Sequence, residues 1–115
     1  IGSFATGQTH LYNAAIARKK ECNRLESIAA ELKKMGAEIE VDSSSLRIKP
    51  AKLMGASDLC CYRDHRMAMA LSVAALCASS PSQIEGYSCV AKTFPHFFSL
   101  ISQLGGSLEY RPDGL

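Results

Sequence analysis

The sequence predicts an α/β (α+β) fold in which helices pack on mixed sheets. Three observations carry this expectation. The elements follow the order strand, helix, strand, strand, helix, strand, helix, strand, which suits a layered mixed architecture. Apolar residues at Leu25, Ile28, Ala29, Leu32 and Met35 recur at helical spacing. Residues 67–78 are apolar nearly all round, the composition of a helix buried between layers.

Taken in order, residues 8–13 alternate enough to form a strand, with Thr9, Leu11 and Asn13 on one face. Asn23 can cap the first helix, with Glu26 three residues on as its capping-box partner. Gly36 ends that helix where a left-handed residue is wanted. Two short strands, 37–41 and 46–49, follow on either side of the polar stretch Asp42-Ser43-Ser44-Ser45 and read as a hairpin. Asp64 is placed to cap the second helix. Residues 83–87 read as a strand. A third helix is expected from about Thr93, with Pro95 in its first turn, where a missing N–H costs little. Phe97, Leu100, Ile101 and Leu104 form its apolar stripe, Gly105-Gly106 stop it, and residues 107–110 read as a last strand. Helix feeding strand recurs loosely along the chain, with little sequence similarity between the units.

A length of 115 residues fits one domain or one piece of a larger one, and no Pro/Gly/Ser-rich linker divides it. A net charge of +2 is too small to argue for nucleic-acid or membrane binding, so functional positive charge must be local. No apolar run reaches the roughly 18 residues needed to span a bilayer. The five cysteines are Cys22, Cys60, Cys61, Cys77 and Cys89. Their odd number and the absence of C-x-x-C spacing argue against a zinc or thioredoxin-like site. They read as free thiols of a reducing compartment, with Cys77 expected to be buried. The start at Ile1-Gly2-Ser3-Phe4 has no Met and no signal-type segment, which reads as a fragment.

Charge collects at the predicted helix starts. Lys20, Glu21 and Arg24 surround the first, Asp64, His65 and Arg66 open the second, and Lys92 precedes the third. A helix N-terminus carries unpaired N–H groups and partial positive charge, so a cation there is unfavourable to the helix itself. Three such cations therefore suggest anion sites, with phosphate and carboxylate as natural ligands, since Arg grips either through two parallel hydrogen bonds. Each residue alone also has a plainer reading. Lys20 fits a solvated face in the run Arg18-Lys19-Lys20, Glu21 and Asp64 fit capping roles, and His65 fits a structural histidine. Met67 and Met69 fit core packing. Composition and spacing reach an anion-binding α/β fragment and stop there.

Three strings carry more. Lys20-Glu21-Cys22-Asn23-Arg24 resembles the K-E-[ST]-D-R segment of EPSP synthases. Asp64-His65-Arg66-Met67-Ala68-Met69 resembles their D-H-R-M-A-M motif without a change, and Cys89-Val90-Ala91-Lys92-Thr93-Phe94-Pro95 their C-x-x-K-T-F-P motif. Order and spacing agree, and the resemblance covers essentially the whole chain up to about Gly105. It implies a C-terminal portion, residues 1–115, of an enzyme built from repeated β-α-β units. That enzyme transfers the enolpyruvyl group of phosphoenolpyruvate to the 5-hydroxyl of shikimate 3-phosphate and releases phosphate, in aromatic amino-acid biosynthesis. No metal or organic cofactor is implied. The implied partners are these two small molecules and the missing N-terminal part of the same enzyme, with no nucleic acid and no membrane. A cytoplasmic location follows, or a plastid in a plant or alga.

By the same resemblance, Glu21 works in proton transfer, and Lys92 stabilises the leaving phosphate and can act as an acid. Arg24 and Arg66 hold phosphoenolpyruvate, Lys20 contacts shikimate 3-phosphate, and His65 orients groups beside the phosphoenolpyruvate site. Cys22-Asn23 departs from the commoner Ser/Thr-Asp, and Arg63 stands where Asn or Asp is usual. The family's glycine-rich first strand with its Lys-Ser pair and its catalytic Asp do not match anything in this chain, so the chain alone is expected to be inactive. Two alternatives stand beside this reading, a UDP-N-acetylglucosamine enolpyruvyl transferase and a non-catalytic anion-binding module.

Overall fold

The computed structural model describes residues 1–111. The elements are β1 (Thr9–Leu11), α1 (Arg24–Lys34), β2 (Glu38–Val41), β3 (Leu46–Lys49), β4 (Leu59–Cys60), α2 (His65–Cys77), β5 (Ile84–Glu85) and α3 (Phe97–Gln103). Short 3-10 turns occupy Gly2–Phe4, Ala15–Lys19 and Tyr87–Lys92.

Two strand–helix–strand units make up the fold. In the first, β3 lies between β1 and β2 and is antiparallel to both, so β1 and β2 run parallel with α1 connecting them. In the second, β4 and β5 pair in parallel through α2. The β2–β3 hairpin forms because its residues alternate. Ile39, Leu46 and Ile48 are buried, while Glu38 faces Lys49 and Glu40 faces Arg47 across the outer side. Opposite charges at directly paired positions favour that register. The turn between them is held by Asp42, whose carboxylate accepts from the Ser44 amide at 3.0 Å and the Ser45 hydroxyl at 2.7 Å.

α1 buries Leu25 and Ala29 against the sheet and ends as expected at Gly36, whose φ of +94° lets the Ala37 amide turn back to the Leu32 carbonyl. The core joins both units through Met35, Ile39, Leu53, Leu59, Met67, Leu71 and Val90. Glu31 is also inside, 1 % exposed, where it accepts from the Cys60 amide, the Tyr62 hydroxyl and Lys34 at 2.8–2.9 Å. This carboxylate ties α1 to β4 and to the loop before α2.

The sequence expectations need four corrections. α2 buries Met67, Ala68, Leu71 and Ala74, but Val73, Leu76 and Cys77 are exposed, so its apolar composition is not matched by cover all round among the described residues. The third helix starts at Phe97, not near Thr93. Pro95 disfavours a helical Phe94 and cannot donate, so the chain first closes the 3-10 turn, through the Thr93 and Phe94 amides to Val90. Residues 107–110 pair with no strand among the described residues. Tyr110 instead packs its ring against Tyr87 and Phe98, 6.0 and 6.3 Å away. The strand expected over 83–87 is only Ile84–Glu85, and its partner β4 was not foreseen. No helix of the described residues is long and apolar enough to cross a membrane.

Candidate active site

Two helix starts meet at one guanidinium. α1 begins behind Asn23, whose side-chain oxygen accepts from the Glu26 amide at 3.3 Å. The Glu26 side chain does not return to complete the capping box and instead pairs with Arg18 at 3.1 Å. α2 begins behind Asp64, whose Oδ1 accepts from the Arg66 amide at 2.9 Å. Both caps match the reading from sequence.

Asp64 does more than cap. It is fully buried and binds Arg24, Nε to Oδ2 at 2.7 Å and Nη2 to Oδ1 at 3.2 Å. Arg24 Nη2 also donates to Glu21 Oε2 at 2.6 Å. The Cys22 thiol donates to Asp64 Oδ2 at 3.3 Å. Residues 40 positions apart thus form one chain of charge, Glu21–Arg24–Asp64, and Arg24 Nη1 makes no hydrogen bond among the described residues.

The electrostatics follow from this geometry. Burial pushes the Asp64 carboxyl up, but hydrogen bonds from Arg24, Cys22 and the Arg66 amide outweigh it and hold the group at about 2. Glu21 lies below the ordinary carboxylate value, first through its own backbone amide; desolvation and the Asp64 charge oppose this, and the charges of Arg24 and His65 add to it. Arg24 is raised, chiefly by its bond to Asp64. Burial raises the Cys22 thiol, so it is a hydrogen-bond donor here and not a nucleophile.

His65 and Arg66 follow Asp64 into the first turn of α2. His65 is 8 % exposed, and its Nδ1 is buried with no hydrogen-bond partner among the described residues. Such orphans are rare in folded proteins and call for an explanation. The side chains of Lys20, Arg66 and Lys92 are exposed and enter no ion pair among the described residues. Lys92 closes the 3-10 turn Tyr87–Lys92, which packs on α2, so it does not stand directly before a helix. The structure therefore joins Glu21 and Arg24 directly, sets His65 and Arg66 beside them through Asp64, and leaves Lys20 and Lys92 without a bond to the cluster. Among the described residues, no group of three or more His, Cys, Asp or Glu side chains gathers as metal ligands would.

Sequence reasoning gave Asp64 only a capping role and gave Tyr62 none. Asp64 is the counter-ion of Arg24, and Tyr62 anchors the loop before it to Glu31 at 2.8 Å. Tyr62 and Arg63 both have left-handed backbone, φ 56° and 54°, a costly arrangement for two adjacent non-glycine residues. No local pattern announces such long-range partners.

Residues 1–101 match the family model for EPSP synthase (3-phosphoshikimate 1-carboxyvinyltransferase). A 3-phosphoshikimate 1-carboxyvinyltransferase of Methanocaldococcus jannaschii is 41% identical over 111 residues, 96% of this chain and 26% of that protein. One of Chlamydia felis is 47% identical over 106 residues, 92% of this chain and 24% of that protein. Among solved structures, EPSP synthase from Acinetobacter baumannii superposes with a TM-score of 0.84 at 29% identity, covering 96% of this chain and 26% of that one. The chain spans about a quarter of the length of the curated relatives it matches. In sequence and in fold, the chain belongs to the EPSP synthase family.

Proposed function

We propose that residues 1–115 are part of an enzyme that moves the enolpyruvyl group of phosphoenolpyruvate onto the 5-hydroxyl of shikimate 3-phosphate, releasing phosphate. The observation that carries this reading is the Glu21–Arg24–Asp64 chain, with the orphaned Nδ1 of His65 in the neighbouring helix turn. It offers a guanidinium aimed by a buried carboxylate, a proton-transfer group hydrogen-bonded to that guanidinium, and a polar atom in want of a partner.

The reaction is addition followed by elimination. A proton reaches the vinyl carbon, the hydroxyl oxygen attacks the adjacent carbon, and phosphate then leaves as a proton is lost. Arg24 and Arg66 hold the carboxylate and phosphate of phosphoenolpyruvate, with Arg24 donating from Nη1. Asp64 fixes the plane of Arg24, as a buried partner fixes any forked donor. Glu21 carries the proton between hydroxyl and carbon. Its lowered pKa makes it a carboxylate at neutral pH, so it enters as the base. Anionic substrate competing for Arg24 weakens the pull on Glu21 and raises its proton affinity, which fits a group that must also give the proton back. Lys92 balances charge on the departing phosphate, Lys20 contacts shikimate 3-phosphate, and His65 orients groups beside phosphoenolpyruvate.

The remainder of the enzyme is the partner. Val73 and Leu76 are 44 % and 40 % exposed along α2 beside Cys77, an apolar face we assign to contact with another part of the same domain. Five free cysteines fit a reducing compartment, the cytoplasm or a plastid.

The test is phosphate release in the intact protein with Glu21→Gln. Loss of a general acid–base group predicts a fall in kcat of about 10²–10⁴-fold with KM changed little. An unchanged kcat would remove Glu21 from the chemistry. The 115-residue chain alone is expected to release no phosphate, and turnover by it would overturn the division of the site proposed here.

A further inference from the structure

Two thiols outside the proposed chemistry lie face to face. Cys61 follows β4 and is 1 % exposed, while Cys89 sits in the 3-10 turn Tyr87–Lys92 and is only partly covered. Their sulfurs are 3.7 Å apart. The Cys61 thiol also donates to the Gly86 carbonyl at 3.1 Å, and the Cys89 amide reaches the same oxygen at 3.3 Å. Gly86 has φ +78°, and a Cβ there would come within 2.9 Å of the Cys61 sulfur. The glycine turn thus closes over Cys61 and holds both cysteines to one carbonyl. A disulfide has its sulfurs about 2.05 Å apart, so the pair must close by roughly 1.7 Å, within reach of small side-chain rotations.

The remaining cysteines are placed differently. The Cys60 sulfur accepts the Tyr62 amide at 3.4 Å, the Cys22 thiol serves Asp64, and Cys77 is exposed on α2.

We propose that Cys61 and Cys89 form a reversible dithiol–disulfide site whose oxidant is a peroxide. With hydrogen peroxide, the Cys89 sulfur attacks one oxygen and the O–O bond breaks. The departing hydroxide leaves as water with the thiol proton, and Cys89 becomes a sulfenic acid. The Cys61 sulfur then attacks the Cys89 sulfur, the S–O bond breaks, and the second hydroxide leaves as water with the Cys61 proton. Two thiols lose two electrons, and the peroxide bond gains them. Burial, followed by its bond to Cys89, lifts the Cys61 thiol to about 12, so Cys61 is not the sulfur that meets peroxide first. The bond would fasten the segment leading into His65 and Arg66 to the turn that ends at Lys92. That consequence rests on the proposed function, whereas the bond itself does not.

The test is read by mass, independently of turnover. The native chain is treated with one equivalent of hydrogen peroxide, its remaining thiols are alkylated, and it is cut with trypsin. Residues 53–63 carry Cys60 and Cys61, and residues 67–92 carry Cys77 and Cys89. The expected product joins these two peptides with the loss of two hydrogens, and fragmentation assigns the bond to Cys61 and Cys89. Dithiothreitol reverses it, and oxidation in urea spreads bonds over the other cysteines. With Cys61→Ser, the single equivalent is expected to leave Cys89 as a sulfenic acid, trapped by dimedone, with no joined peptides. Cys89 oxidised alone in the native wild-type chain, or the same mixture of pairs with and without urea, would overturn the assignment.

Discussion

Replacing Asp64 with Asn removes one charge and turns the Oδ2 acceptor of Arg24 Nε and the Cys22 thiol into an NH2 donor. Asn caps a helix as well as Asp does, so the Arg66 amide keeps an acceptor and α2 keeps its start. What goes is the carboxylate that grips Arg24 at 2.7 and 3.2 Å. Its titration gives the size of the loss. The carboxyl is held at about 2 against an ordinary 3.8. That difference is worth about 2 kcal/mol in favour of the folded state at neutral pH. Because the folded pKa is depressed, the contribution is present above about pH 4 and fades as pH falls through about 2. Removing one partner of a fully buried pair costs about 3–5 kcal/mol. Arg24, 20 % exposed and still bound to Glu21, places this pair below that range, near 2 kcal/mol. Urea unfolding of the wild-type chain and of Asp64→Asn at pH 7, 4 and 2 measures it directly. The variant is expected to be about 2 kcal/mol less stable at pH 7, with the gap nearly closed at pH 2. Equal stability at pH 7, or a gap that persists into acid, would refute the view that Asp64 acts through its charge.

Two further changes probe the loop in front of Asp64. Arg63→Asn places a residue tolerant of left-handed backbone at φ 54°, and should stabilise the chain by about 0.5–1 kcal/mol, read as a higher urea midpoint with unchanged slope. A lower midpoint would show that the Arg63 side chain stabilises the fold by more than its backbone costs. Tyr62→Phe removes the 2.8 Å bond to buried Glu31 and should cost about 1–2 kcal/mol at pH 7. The hydrogen bond to Glu31, followed by burial, raises the Tyr62 phenol from 10.0 to about 12, so its contribution is present below pH 10 and lost as pH rises through 12. Phenolate absorbance in wild type should therefore include one late titration that the variant lacks, and its presence in both would exclude Tyr62 as the source.

Much of the architecture was legible because it is set locally. The Asn23 and Asp64 caps, the Gly36 stop and the alternating hairpin each depend on residues a few positions apart. The sequence misled where packing decides. β4 is two residues long and exists only because β5 and Glu31 supply its partners. α3 begins late because the constraint Pro95 places on Phe94 outweighs the apolar stripe. Cys77 looked buried by composition, yet it is exposed on α2. The site divides in the same way. Glu21, Arg24, His65 and Arg66 could be named from their strings, but the bond that unites them crosses 40 residues and leaves no trace in local spacing.

The placement of strain and charge explains how so small a piece can hold a site in shape. Tyr62 and Arg63 adopt backbone that non-glycine residues avoid, immediately before the residue that organises Arg24. The chain stays there because both sides of the kink are fastened. Glu31 binds Cys60 and Tyr62 upstream, and Asp64 gathers Arg24, Cys22 and the Arg66 amide downstream. Both carboxylates are almost wholly buried and held below their ordinary pKa, each charged because several donors converge on it. The two anchors start from different helices, so the kink links α1 to α2. A relaxed loop could satisfy Asp64 as a cap alone. Only a fixed one lets the same carboxylate cap α2 and aim the guanidinium of α1, while Arg24 Nη1 and His65 Nδ1 hold no hydrogen bond among the described residues.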